Sequence, residues 1–170
     1  MSQAAFERSA APGGIHNRLT AMVGDWEGRF RIWFEPGKLV DEAVQRGHIR
    51  LVGGGRFLLH EYDGRCNGEP FDGVALWGYH LDDATFECAW AESFGTGTSI
   101  MFSVGEVTDG RFRALGSYGA GSERWGWRTE LSQPDAGHLD IRMFNITPAG
   151  DESLAVEINY ARVPALPGSP

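Results

Sequence analysis

The sequence predicts an all-β protein: an antiparallel up-and-down β-barrel of about ten strands behind a short N-terminal helix. Three observations lead there. The chain holds 24 glycines among 170 residues, set at turn-like intervals between runs rich in aromatic and β-branched residues. The connections between those runs are short, which implies antiparallel neighbours throughout. Along several runs apolar and charged residues alternate with period two, so each strand has one apolar face. A meander of about ten such strands closes on itself, because closure removes two exposed sheet edges and leaves a barrel with a lumen. The alternative is a β-sandwich with a filled core.

The elements follow in order. Residues 1–14, rich in Ala, Pro and Gly from Ala4 to Gly14, read as a flexible segment, and residues 164–170 as a flexible tail around one barrel domain, 15–163. His16 to Val23 forms a short helix with Leu19, Met22 and Val23 on one side, stopped by Gly24 and Asp25. Strands then run near Trp26–Phe34, Ala43–Val52, Arg56–Tyr62, Phe71–Tyr79 and Thr85–Ser93. The next are near Thr98–Val107, Arg111–Tyr118, Arg124–Leu131, His138–Ile146 and Leu154–Val163. Glu35-Pro36-Gly37, Gly53 to Gly55, Asp63-Gly64, Asn67-Gly68 and Asp109-Gly110 supply turns. Alternation puts Trp26, Phe30 and Ile32 inside the first strand, Phe86, Cys88 and Trp90 inside the fifth, and Trp125, Trp127 and Leu131 inside the eighth. In the third strand the apolar Phe57 and Leu59 assign Glu61 to the interior.

Composition narrows the function. Lys plus Arg is 15 and Asp plus Glu is 23, a net charge of −8, and no run of basic residues offers a surface to a phosphate backbone. Nucleic acid is not an expected partner. No window approaches the roughly 18 apolar residues of a membrane-spanning helix, so the expectation is a cytoplasmic protein with no membrane partner. Cys66 and Cys88 stand alone, outside any CxxC or Cys/His cluster, and are read as reduced.

Gly24-Asp25-Trp26 before the first strand, with Arg162 at the end of the last, is similar to the lipocalin arrangement, in which an indole and a late Arg close one barrel end by burial and cation–π contact. A broader likeness runs from His16 to Val163. MVGDWEG, WFEPG, GGRFLLHEYDG, EPFDGVALWGYHLDDATFECAWAES and VEINYARV, in that order, resemble domain of unknown function 1579, a bacterial family. The resemblance implies a lipocalin-like, calycin-type barrel related in shape to nitrobindin-type barrels. It implies no activity, and fold likeness does not supply one.

The chemistry-bearing residues give few motifs. His16, His48, His60, His80 and His138 show neither HxH nor HExxH spacing, and the three in strands two to four read as outward-facing, so no metal site is expected. Nitrobindin-type barrels hold haem through a histidine. The last strand here carries Tyr160 instead, and no cofactor is expected. Gly95-Thr96-Gly97 and Gly119-Ala120-Gly121 open no helix and read as turns rather than phosphate cradles. There is no GxSxG elbow, and Cys88 reads as a core residue.

Two carboxylates stand apart. Glu61 and Glu92 end strands three and five on the interior register at similar height, about 10 Å apart with one strand between them. They are the candidate catalytic acid and base. Trp77, Trp90, Tyr118, Trp125, Trp127 and Asn145 are the candidate ligand-binding residues around them, with Gln45 reaching the same end. The resulting site has apolar walls and a few convergent polar groups. Three functions are open: a barrel that binds a small hydrophobic or aromatic ligand; a cofactor-independent isomerase, cyclase or lyase using the two glutamates; and an interaction protein forming a homodimer through exposed aromatics such as Trp33.

Overall fold

A computed structural model describes residues 2–164. Two short helices, α1 (Gln3–Ala10) and α2 (Ile15–Thr20), precede eleven strand segments: β1 (Gly24–Glu35), β2 (Lys38–Val52), β3 (Phe57–Cys66), β4 (Glu69–His80), β5 (Thr85–Glu92), β6 (Met101–Gly105), β7 (Val107–Thr108), β8 (Arg111–Ala120), β9 (Glu123–Asp135), β10 (His138–Ile146) and β11 (Glu152–Arg162). Every pairing is antiparallel, in the order β6-β5-β4-β3-β2-β1-β11-β10-β9-β8-β7, and β6 also pairs with β8 through Val104 and Leu115. The sheet is thus a closed barrel. Segments β6 and β7 occupy one strand position, interrupted at Glu106, whose carbonyl accepts from the Arg113 amide at 2.8 Å. Ten strand positions surround the core.

The segment expected to be flexible at the N-terminus contains α1. Ser2 caps it by accepting from the Ala5 amide, and Ala-rich composition favours the helix. Phe6 pins it, lying edge-on to His16 at 5.1 Å and beneath the Arg56 guanidinium at 4.3 Å. Of the expected C-terminal tail, residues 165–170 lie outside the described residues.

The lower end of the barrel is closed as the Gly24-Asp25-Trp26 pattern implied. Trp26 is 1% exposed, and its Nε1 donates to the Met22 carbonyl at 2.9 Å. The Arg162 guanidinium lies 4.1 Å over the indole and donates to the carbonyls of Ala21, Val23 and Ala136. Leu19 and Met22, both buried, seal the gap beside it. Burying these apolar groups and tying each nitrogen of the guanidinium to a carbonyl makes this end dense.

Register places one face of each strand inside. Trp26, Phe30, Ile32, Phe86, Cys88, Trp90 and Leu131 are buried where alternation put them, and Ile158 and Tyr160 are buried on β11. The outer face carries ion pairs: Glu157 is held by Arg31 and Arg142, and Glu130 by Arg111, Arg113 and Arg128.

Strand β3 departs from the expectation. Leu58, His60 and Tyr62 face inward, while Phe57, Leu59 and Glu61 face outward or lie less buried. The reason lies in its glycine neighbours. The Phe57 ring, 39% exposed, lies flat over Gly53 and Gly78, where an added Cβ would come within 2.8 Å of it at each position. An apolar ring outside the barrel thus covers bare backbone. Inside, Gly47 leaves room for His60 and Tyr160: a Cβ there would sit 2.7 Å from the imidazole Nε2 and 2.8 Å from the phenol oxygen.

Candidate functional site

Above the plug the interior is not filled. A cavity of about 540 Å³ opens at the upper end, walled by Phe30, Ile32, Met101, Met143 and Val156 and by the aromatic rings of Trp90, Tyr118 and Trp127. A larger groove of about 860 Å³ crosses the outside of β1 to β5. Three of its acidic groups already have partners: Asp25 with His48, Glu27 with Arg46 and Glu61 with Arg50. Such pairs are exposed and contribute little. The interior cavity, apolar with a few polar atoms, has the anatomy of a small-molecule site.

The register shows how the cavity acquires its polar side. Tyr62, Gly73 and Glu92 are aligned across β3, β4 and β5 on the inner face. Gly73 has no side chain, and the Tyr62 ring occupies the space: a Cβ on residue 73 would lie 2.4 Å from it. The phenol therefore reaches Glu92, donating to its Oε2 at 3.0 Å, while Trp90 Nε1 donates to the phenol oxygen at 2.5 Å. The Gly95 amide donates to the other carboxylate oxygen at 2.9 Å. Desolvation raises the Glu92 pKa above the usual carboxylate range, against the opposing pull of the Tyr62 and Gly95 hydrogen bonds. Burial also drives the Tyr62 hydroxyl well above its ordinary value. The phenol stays protonated and serves as a fixed donor.

Trp90 also stacks on Trp127 of β9, ring centres 5.5 Å apart and planes 14° from parallel, and Tyr118 meets Trp127 edge-on at 6.1 Å. The Tyr118 hydroxyl donates to Asn145 Oδ1 at 2.7 Å. These contacts hold the rings in place, so their faces and edges form a preset surface.

At the cavity floor Gln45, 1% exposed, donates from Nε2 to the Tyr160 hydroxyl at 2.6 Å. That hydroxyl lies 3.3 Å from Nε2 of His60. His60 is packed among Tyr62, Trp77 and Tyr160, and burial pushes its pKa down to about 3. The imidazole is neutral and structural. Its inward position corrects the expectation of an outward-facing residue, and His16 is also buried, bonded to Ser9 at 2.8 Å.

Of the expected site residues, Trp90, Glu92, Tyr118, Trp127 and Asn145 meet at the cavity. Glu61 does not. It lies outside in the row Glu61, Val74, Ala91, its side chain 52% exposed and 3.1 Å from Arg50. The sheet itself separates it from Glu92, so the two carboxylates form no acid/base pair. Trp77 is 2% exposed and belongs to the core against His60. Trp125, half-buried near the β8–β9 turn, is not part of the cavity wall, and its Nε1 approaches Glu123 at 3.4 Å. Tyr62 is the residue sequence reasoning missed. The signal available was its place opposite Gly73, an aromatic facing a residue that leaves it room. Among the described residues no group of three or more His, Cys, Asp or Glu is placed to hold a metal ion. Among the described residues no histidine lines the cavity, so its wall does not fit a histidine-ligated haem.

Fold and site together define an antiparallel barrel, plugged at one end and open to a cavity at the other. The chain belongs to the family described as protein of unknown function (DUF1579), whose model matches residues 11–162. No curated protein matches it. Among solved structures it is similar to Rv2717c from M. tuberculosis, with 16% identity, a TM-score of 0.61, and coverage of 87% of this chain and 96% of that one. It is also similar to the S-type phycobiliprotein lyase CPES from Guillardia theta, with 12% identity, a TM-score of 0.58, and coverage of 95% and 99%. At these identities the likeness is one of fold.

Proposed function

We propose that this protein is a lipocalin-like binding protein whose barrel takes a small, flat, largely aromatic molecule through its open end. The observation that carries the reading is the Trp90 and Trp127 pair in the wall of the 540 Å³ cavity. Pre-stacked indoles give a ligand ring a rigid apolar surface with little side-chain freedom left to lose. Glu92, fixed by Tyr62 and Gly95, supplies orientation at the mouth. N-phenyl-1-naphthylamine, a neutral apolar fluorophore, is expected to bind saturably at one molecule per chain and to quench tryptophan emission. Trp90→Phe and Trp127→Phe are each expected to weaken it by about tenfold, the loss of one good aromatic contact. Absence of saturable binding would remove this reading and leave self-association through exposed aromatics.

A second reading, an isomerase, cyclase or lyase, is favoured by one feature, the desolvated Glu92 carboxyl in contact with the Tyr62 phenol. The neighbour named a phycobiliprotein lyase is a barrel of the same kind. With Glu61 outside, such chemistry would use Glu92 alone, shuttling one proton. Turnover lost in Glu92→Gln with ligand binding retained would establish it.

A further inference from the structure

Most buried polar groups in a folded protein have hydrogen-bond partners, and the exceptions mark places where something is missing. Four buried side-chain nitrogen or oxygen atoms among the described residues have none: Nε of Arg31, Oε1 of Gln45, Nε of Arg113 and Nε1 of Trp127. The two arginines are already neutralised, Arg31 by Glu157 and Arg113 by Glu130. The remaining two, Gln45 and Trp127, both belong to the cavity wall.

Resting on the binding reading above, we propose that the cavity selects a flat aromatic heterocycle with a hydrogen-bond donor on one edge, received by Gln45 Oε1, and an acceptor on the opposite edge, held by Trp127 Nε1.

The chain of bonds behind Gln45 sets the polarity of its end. Nε2 of the amide donates to the Tyr160 oxygen, and the Tyr160 hydroxyl lies 3.3 Å from Nε2 of the neutral His60, which takes the hydroxyl proton in the tautomer protonated at Nδ1. This relay leaves the amide oxygen as the group without a partner. Tyr160 and His60 are both buried, 1% exposed each, so the relay is held from below. At the other end the indole N–H can only donate. Trp127 is stacked between Trp90 and the edge of Tyr118, which fixes the direction of that donor.

The two residues stand on well-separated strands of the wall. Along the order β2-β1-β11-β10-β9 Gln45 and Trp127 are four strand steps apart in a ring of ten, roughly 19 Å of wall at the usual strand spacing. Oε1 of Gln45 calls for a donor and Nε1 of Trp127 for an acceptor, and the two residues face the lumen from different sides, so the two groups sit at separate edges of the ligand. The apolar side chains between them, Phe30, Ile32, Met143 and Val156, cover the body of the ring system. A site built this way discriminates strongly, because a ligand without the matching group leaves a buried polar atom unpaired.

Four two-ring probes of nearly one size test this at neutral pH by quenching of tryptophan emission: naphthalene, 2-naphthol, quinoline and 6-hydroxyquinoline. Naphthalene reports the apolar cavity alone, 2-naphthol adds the donor, quinoline adds the acceptor, and 6-hydroxyquinoline carries both. Expected is a gain of about tenfold in affinity for each matched group, with 6-hydroxyquinoline binding tightest. Trp127→Phe is expected to erase the gain of quinoline over naphthalene and to keep that of 2-naphthol. Gln45→Leu is expected to do the reverse. The wild-type series decides the matter even if Gln45→Leu, which also frees Tyr160, fails to fold. Naphthalene bound and 6-hydroxyquinoline no tighter would overturn the proposal and leave the binding reading standing, the two atoms being served by water. None of the four probes bound would defeat the binding reading itself.

Discussion

The two ends of this barrel are built from the same materials to opposite purposes. At the lower end an indole, Trp26, has its N–H bonded to Met22 and its face covered by Arg162, whose guanidinium meets three carbonyls. At the upper end another indole, Trp127, has one face on Trp90 and its N–H unpaired. Closing an end requires that every polar atom be satisfied within the chain. The open end leaves polar atoms without a partner in the chain. On the binding reading proposed above, the closed end carries stability and the open end selectivity.

Substitutions in the two halves should separate along that line. The largest effect is expected from Trp26→Ala, which empties the plug and costs about 3–5 kcal/mol of stability in a denaturant titration. A nearly neutral result would break the contrast at its strong end. Trp127→Phe should weaken N-phenyl-1-naphthylamine about tenfold while shifting the unfolding midpoint far less than Trp26→Ala does.

Acid should act on the lower half. His60 is neutral down to about pH 3 in the folded chain, against about 6.5 when unfolded. The unfolded state therefore binds more protons between those values. Stability is complete above about 6.5 and falls as pH drops toward 3, by up to about 1.4 kcal/mol per pH unit. His60→Gln is expected to flatten that slope in urea unfolding measured across the range.

Glu92, in the upper half, carries the opposite sign. Its raised pKa makes the folded state hold the proton longer, so its contribution is present below the ordinary carboxylate value and is lost as pH rises through the raised one. Carboxyl resonances followed by NMR should show Glu92 titrating above the usual range, and Glu92→Gln should remove that loss of stability. The smallest effect belongs to Glu61→Gln. Its partner Arg50 is exposed, so stability should change by less than about 0.5 kcal/mol and probe binding not at all. A loss of binding there would restore the paired-carboxylate reading.

The barrel was legible because alternation is unambiguous where large apolar and charged residues take turns, as in Trp26 to Phe34 and Phe86 to Glu92. The Gly24-Asp25-Trp26 and Arg162 plug was legible because its physics is local to two positions. Strand β3 was not. Both of its faces offer apolar residues, Phe57 and Leu59 against Leu58 and Tyr62, and a one-residue slip exchanges the faces. What decides is the glycine at each cross-strand position, Gly78 beneath Phe57 and Gly73 beneath Tyr62. That pairing depends on register, which no single strand reveals. The slip moved Glu61 out and hid Tyr62 and His60, and with them the relay that holds Gln45. Trp77 was placed on the correct face but at the wrong depth, since depth depends on how much of the lumen the neighbouring rings fill.

The contrast between the two ends can be read in one spectrum. The indole N–H resonances of the six tryptophans report on both halves at once during titration with N-phenyl-1-naphthylamine. Those of Trp90 and Trp127 should move to saturation at one equivalent, while those of Trp26 and Trp77 stay in place. Movement of Trp26 or Trp77 as large as that of Trp90 and Trp127, or no saturable movement of any indole, would contradict the assignment of ligand binding to the upper cavity.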